Sequence, residues 1–226
     1  VLMVYPGNTA RTIADSGALA PGGGGDTPGG MPQVVLIGDS IRIGYQPHVQ
    51  RLLAGEAEVW GPDTNGGHAV NVLMHLHLWA KHRQPDLVHI NCGLHDLRTD
   101  HFGGGEPLVP LPIYAVYVER ILRYLRQHTR AAVVWATTTP VIDEAARIEH
   151  ARWNDFDRSD ADVIAYNGVA TAICARLGVP VNDLGAVVRA HGAAALQNGD
   201  GVHYTDDGSR ILGEAVAAAV RAHLPR

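Results

Sequence analysis

With 226 residues, 46% of them hydrophobic and 18% charged, the chain is long enough to bury one core and has the balance of an ordinary globular protein. Its net charge of -5 offers no basic surface to a phosphate backbone, which argues against nucleic acid as a partner and for a neutral small molecule. No apolar run approaches the roughly 18 residues of a membrane span and no signal-peptide pattern is visible, so the reading is a soluble, cytoplasmic chain with no membrane partner.

Residues 1–32 differ from all that follows. Pro21 to Gly25 and Pro28 to Gly30 form a glycine-proline stretch with no apolar period to bury, read as a flexible leader before a single domain over 33–226. From Gln33 onward short β-branched runs alternate with longer segments of helical period. Strands are predicted at 34–37, 57–60, 87–91, 132–136 and 179–181, and helices at about 45–54, 69–82, 113–127, 162–177 and 206–223. This alternation implies an α/β fold, a three-layer α/β/α sandwich around a five-stranded parallel sheet with flavodoxin-like order. Ligands of such sheets bind beyond the carboxyl ends of the strands, so chemistry is expected in the loops that follow them. Cys92 and Cys174, far apart and each in an apolar segment, suggest buried thiols rather than a disulfide or zinc site.

Four loops carry candidate residues. After the first strand comes Gly38-Asp39-Ser40-Ile41, where a serine hydroxyl at a helix start lies among backbone amides able to hold an oxyanion; as bare turn chemistry the tripeptide is unspecific. After the second comes Asn65-Gly66-Gly67-His68, in which a glycine N–H can approach a substrate without a side chain in the way, or merely make a turn. After the third, Asn91-Cys92-Gly93-Leu94-His95-Asp96 offers His95 as a ring N–H donor or a plain loop histidine. Near the end, Asn198-Gly199-Asp200-Gly201-Val202-His203-Tyr204-Thr205 places an acid three residues before a histidine. The carboxylate of Asp200 can then fix the His203 tautomer whose Nε2 accepts a serine proton. Thr205 or Asp206 is expected to cap the last helix.

From about Gln33 to the C-terminus the sequence resembles the SGNH/GDSL hydrolases. Val35-Leu36-Ile37-Gly38-Asp39-Ser40 is similar to the family's first block, which implies Ser40 as nucleophile and its N–H as one oxyanion donor. Asp200-Gly201-Val202-His203-Tyr204-Thr205 is similar to the last block, which implies His203 as general base and Asp200 as its orienting acid. The second-block glycine maps to Gly66, with Gly67 as the alternative. The third block departs from the pattern: the family has Gly-x-Asn-Asp and this chain has Gly93-Leu94-His95-Asp96. His95 is carried over as third donor, with Asn91 as fallback.

The mechanism so implied is two-step acyl transfer through Ser40, without metal or organic cofactor. The substrate reading is a small acyl ester, acetyl first, of a carbohydrate. It rests on the absence of an apolar lid, on family analogy, and on Trp60, Trp79, Trp135 and Trp153 as stacking faces. Arg42, Gly67, His68, Asp96 and Trp153 are the substrate-contact candidates, and Arg42, Arg152 and Arg158 are the groups that would meet an acidic sugar. His75 and His77, with His68 and His82 nearby, have poor helical spacing for a metal. Rival readings are a short-chain esterase or lysophospholipase, a non-hydrolytic carbohydrate-binding protein, and a lyase or glycosidase acting through Asp96 or Asp63. The sequence leaves the oligomeric state open.

Overall fold

A computed structural model describes residues 30–100, 104–153 and 156–225, of Trp153 the backbone alone. All but the end of the expected leader over 1–32 lies outside the described residues. In chain order the elements are β1 (Gln33–Ile37), α1 (Ser40–Leu52), β2 (Glu58–Trp60), α2 (Ala69–Leu76) running on into a π-helical turn (His77–Lys81), β3 (Leu87–Ile90), β4 (Thr99–Asp100), α3 (Leu111–His128), β5 (Ala132–Ala136), α4 (Asp143–Trp153), β6 (Phe156–Asp157), α5 (Asp160–Leu177), β7 (Val181–Asn182), α6 (Leu184–His191), α7 (Ala193–Leu196) and α8 (Asp206–His223).

The main sheet is parallel throughout, in the order β2-β1-β3-β5-β7, with Val35 opposite both Trp60 and Val88, and Ile90 opposite Trp135. This is the expected flavodoxin-like order. The central strands β1, β3 and β5 are buried along nearly their whole length, which is why they read as apolar runs, broken in β3 by His89, rather than alternating ones. Helix α1 packs on α8, and α2 packs on α3, which in turn meets α5, so the sheet is flanked by a helical layer on each face. The order reverses between β1 and β3, and the loops after these strands therefore open onto one edge.

Several features depart from the expectation: the last strand, β7, begins at Val181 rather than Val179, and α6 and α7 lie where no helix was expected. Helix α1 begins at Ser40 rather than near Tyr45, because Asp39 accepts a hydrogen bond from the N–H of Ile41 (3.0 Å) and nucleates the first turn directly behind the strand. The polar segment before α5, to which no element was assigned, folds into α4 and β6, and β6 pairs antiparallel with β4 through Thr99–Asp157 and Asp100–Phe156. Helix α4 has no continuous apolar stripe, with Ala146 buried and Ile148 exposed, and two-residue strands are too short to carry a period.

Candidate active site

Ser40 is the first residue of α1, so its N–H belongs to the turn that has no intrahelical acceptor. The loop beneath it is tightly built. A Cβ on Gly38 would lie 2.7 Å from that of Arg42, so the approach of strand to helix requires glycine here. Arg42 is itself 2% exposed and donates to Gln46 Oε1 and to the carbonyl of Thr64, each at 2.8 Å. The sequence reading of Arg42 as a substrate contact is thereby corrected: its guanidinium braces the loop after β2 against α1, under the site rather than in it.

The second half of the site comes from the turn between α7 and α8. Gly201 adopts φ +70° and packs so closely on the carbonyl of Ile142 that a Cβ would sit 2.6 Å from it. Asp200 Oδ1 accepts from the N–H groups of Val202 (2.9 Å) and His203 (2.8 Å), and Oδ2 lies 2.6 Å from His203 Nδ1. The opposite ring nitrogen, Nε2, stands 2.9 Å from Ser40 Oγ. Burial raises the Asp200 carboxyl, but the hydrogen bonds from Val202, the His203 ring and the His203 N–H outweigh it and hold its pKa below the ordinary value. The carboxylate thus stays ionised and accepts from Nδ1–H, which leaves Nε2 as the acceptor for the serine proton. Thr205 caps α8 by accepting from the N–H of Gly208 (3.1 Å).

The glycine loop behaves otherwise than expected. The N–H of Gly66 donates to the carbonyl of Gly38 at 2.9 Å, so the residue read as an oxyanion donor instead locks the second loop onto the loop that carries Ser40. Gly67, at φ +61°, donates to Asn65 Oδ1 (2.8 Å), and His68 Nδ1 accepts from the N–H of Asn71 (3.2 Å) as the cap of α2. The N–H groups of Gly66 and Gly67 and one ring nitrogen of His68 are spent on structure, which corrects Gly66 as a free donor, and neither Gly67 nor His68 is among the residues that line the cleft at Ser40. A Cβ on Gly66 would lie 2.7 Å from the Gly38 carbonyl oxygen. Gly66→Ala is therefore expected to destabilise the fold by about 1–3 kcal/mol and to lower activity by displacing Ser40, read by thermal melts alongside kcat.

In the third loop Asn91, the fallback donor, is buried and donates to the carbonyl of Ala136 (2.9 Å), away from the cleft. His95 is half-buried and faces the same cleft as Ser40 and His203. Burial, with the Arg158 and Arg98 charges, pushes its pKa down against the pull of Asp39, which favours the neutral ring with its one N–H. Asp96 was read as a substrate contact and as a possible acid for serine-independent chemistry. It is fully buried, both oxygens accepting from the N–H of Ala69 (2.9 and 3.1 Å), and serves instead as a long-range cap for α2.

Burial, opposed by the Ala69 N–H, raises the Asp96 carboxyl to about 7. A carboxyl raised in the folded state holds its proton more tightly there than in the unfolded chain, where the value is about 3.9. Its contribution to stability is full below that value and is given up as pH rises towards 7. Asp96→Asn keeps an acceptor for Ala69 and cannot ionise, so unfolding free energies at pH 5 and pH 8 are expected to differ less in the variant, by about 1.4 kcal/mol per pH unit lying below the raised pKa.

A cleft of about 380 Å³ runs past Ser40, Asp200 and His203. It is lined further by Asn65, Leu94 and His95, and by Glu149, His150, Phe156 and Arg158 from the α4–β6 segment. The tryptophans do not supply stacking faces: Trp135 and Trp79 are core residues, and Trp60 lies under the Arg83 guanidinium at 3.3 Å. The Trp153 side chain lies outside the described residues. His75 stacks on Trp79 (4.9 Å between ring centroids) and His77 lies edge-on to His82, and among the described residues no three potential ligands gather around a metal position.

The sequence matches no protein-family model and no curated protein. Among solved structures, the chain is similar to a lipase/acylhydrolase from Enterococcus faecalis, with 19% identity and a TM-score of 0.71 over 87% of this chain and 100% of that one. It is also similar to an acetyl xylan esterase (19%, 0.66, over 83% and 99%) and to a GDSL-like lipase from Bacteroides thetaiotaomicron VPI-5482 (16%, 0.65, over 84% and 88%). The chain has the SGNH/GDSL hydrolase fold. On this SGNH/GDSL scaffold sequence reasoning missed His150 and Phe156 as cleft residues. No signal marked them, because their place in the cleft depends on the β4–β6 pairing, which folds a distant polar segment over the third loop.

Proposed function

We propose that the protein is a serine hydrolase of carboxylic esters, acting on small acyl groups, acetyl foremost, carried by a carbohydrate. The observation that carries this reading is the relay Ser40 Oγ, His203 Nε2, His203 Nδ1, Asp200 Oδ2, spaced at 2.9 and 2.6 Å between residues 163 positions apart in the chain. Such a relay turns a weakly nucleophilic hydroxyl into an acyl acceptor.

In the first step His203 takes the proton as Ser40 attacks the ester carbonyl, and the alcohol leaves with that proton. In the second step water, deprotonated by the same ring, releases the acid. The oxyanion is held by the Ser40 N–H and the single ring N–H of His95, with Gly66 positioning the loop rather than donating. His95→Ala is accordingly expected to lower kcat by about a hundredfold or more with a smaller change in KM.

The substrate class draws on three supports. An acetyl xylan esterase is among the proteins of the same fold. The cleft wall is rich in polar groups suited to hydroxyls, namely Asn65, His95, Glu149, His150 and Arg158. Its volume of about 380 Å³ admits a sugar ring with a short acyl group. The deciding experiment pairs fluorophosphonate labelling of Ser40 with kcat/KM on acetylated sugars and on a ladder of acyl-chain lengths. Labelling with a preference for acetyl sugars supports the reading, a preference for longer chains moves it to a short-chain esterase or lysophospholipase, and absence of labelling refutes it.

A further inference from the structure

The cleft contains a buried cation that forms no direct ion pair among the described residues, with Asp39, Asp157 and Asp100 acting on it only at longer range. We propose that it is a carboxylate subsite: the ester cleaved at Ser40 carries an anionic carboxylate that docks on Arg158. This rests on the serine-esterase reading above and narrows its substrate class.

Arg158 is 8% exposed, and the little of it that is open lines the cleft shared by Ser40 and His203. Its Nε donates to the carbonyl of Leu94 (2.8 Å), and Nη1 meets the imidazole Nε2 of His150 (3.1 Å). Both acceptors are uncharged when His150 is neutral, the state its lowered pKa favours; burial is the main cause, with the Arg158 charge adding to it. Among the described residues no carboxylate forms an ion pair with Arg158. Arg98 holds Asp100 at 2.9 Å and Arg189 holds Asp160 at 2.9 Å; Arg42 is also buried without an ion pair, but it donates to Gln46 and Thr64 and does not line this cleft. Asp157, the adjacent acid, uses Oδ1 on the backbone N–H of Arg158 itself (2.8 Å).

A buried charge is normally paired, because desolvating it alone is costly. Burial, with the Arg98 charge, lowers the Arg158 pKa to about 10 against the longer-range pull of Asp39, Asp157 and Asp100, so the group stays cationic at neutral pH. Nη2 has no acceptor among the described residues. The guanidinium lies 4.8 Å from the centroid of the Phe156 ring, with Arg98 4.7 Å from the same centroid, an aromatic contact that limits its freedom. A held guanidinium with free N–H groups in a partly desolvated cleft matches a planar carboxylate. The Glu149 carboxylate also lines this cleft, and the chain is acidic overall, which favours a singly charged anion over a phosphate.

The test compares kcat/KM within two matched pairs: O-acetyl methyl galacturonoside as free acid and as methyl ester, and the 4-nitrophenyl esters of succinate as hemiester and as methyl diester. The first pair places the carboxylate on the alcohol, the second on the acyl group. The native protein is expected to prefer the anionic member of one pair by roughly ten- to a hundredfold, and Arg158→Gln to bring that ratio close to one. Because Arg158 also holds Leu94, the variant can lose activity on every ester. The ratio within a pair cancels that loss, and Arg158→Lys, which keeps the charge without the fork, is expected to fall between. Independently of any variant, free galacturonate is expected to protect Ser40 from fluorophosphonate at lower concentration than galactose.

Ratios near one in both pairs for the native protein, or an equal loss on both members in Arg158→Gln, overturn the proposal and leave Arg158 as a brace of the His95 loop. In that outcome labelled Ser40 and hydrolysis of neutral esters leave the esterase reading standing. Absence of labelling in the native protein removes the esterase reading and this proposal with it.

Discussion

Ser40→Ala is expected to lower kcat on a 4-nitrophenyl ester by about five to six orders of magnitude while leaving the melting temperature nearly unchanged. The two halves of this expectation have separate causes. The chemical half follows from the relay, since Ser40 Oγ is the only nucleophile in contact with His203 Nε2 among the described residues. The structural half follows from the division of labour in the first turn of α1. Asp39, not Ser40, caps that helix, and Arg42 and Gly66 hold the loop from below, so removing the hydroxyl breaks no bond that supports the fold. The stability change should stay within about 0.5 kcal/mol.

His203→Ala should cost about as much, and the double variant Ser40→Ala/His203→Ala little more than either single one, because the pair acts as a unit. Steady-state rates with calorimetric melts on the three variants measure this. Multiplicative losses in the double variant would show that the two residues contribute independently and would sink the relay. Substantial activity in Ser40→Ala would move the chemistry to another group in the cleft.

How much of this was readable from the residues depended on whether the signal was local. Strand–loop–helix junctions were legible: Gly38-Asp39-Ser40 and Asp200-Gly201-Val202-His203 each complete their geometry within a few positions, and the parallel sheet announces itself by buried strands alternating with periodic helices. The roles of Arg42, Gly66 and Asp96 were not. Each is decided by a partner on another loop, Thr64, Gly38 and Ala69 respectively, and nothing in the sequence names those partners. The same holds for the far wall of the cleft. A two-residue strand pairing between Thr99–Asp100 and Phe156–Asp157 brings His150 and Arg158 beside Leu94 and His95, and no periodic pattern encodes a contact that short. The tryptophans show the reverse error: composition makes them available for stacking, whereas packing places Trp79 and Trp135 in the core.

Asp200→Asn is expected to lower kcat by about four orders of magnitude with little change in KM, and the reason lies in how the carboxylate is already occupied. Oδ1 accepts from two backbone N–H groups, those of Val202 and His203, at 2.9 and 2.8 Å. An asparagine at this position must direct its carbonyl oxygen to those donors, since an amide nitrogen facing them would repel both. Its NH₂ then occupies the place of Oδ2, 2.6 Å from His203 Nδ1 in the native geometry. Nδ1 becomes the acceptor, the ring proton moves to Nε2, and the nitrogen facing Ser40 Oγ donates where it must accept. The fold has no reason to change, because the turn keeps its two backbone hydrogen bonds. The loss should therefore appear equally in ester hydrolysis and in the rate of fluorophosphonate labelling, both of which need the proton taken from Ser40. A fall of less than about tenfold in both would mean that His203 holds its working tautomer without Asp200, and the acid would have to be reassigned.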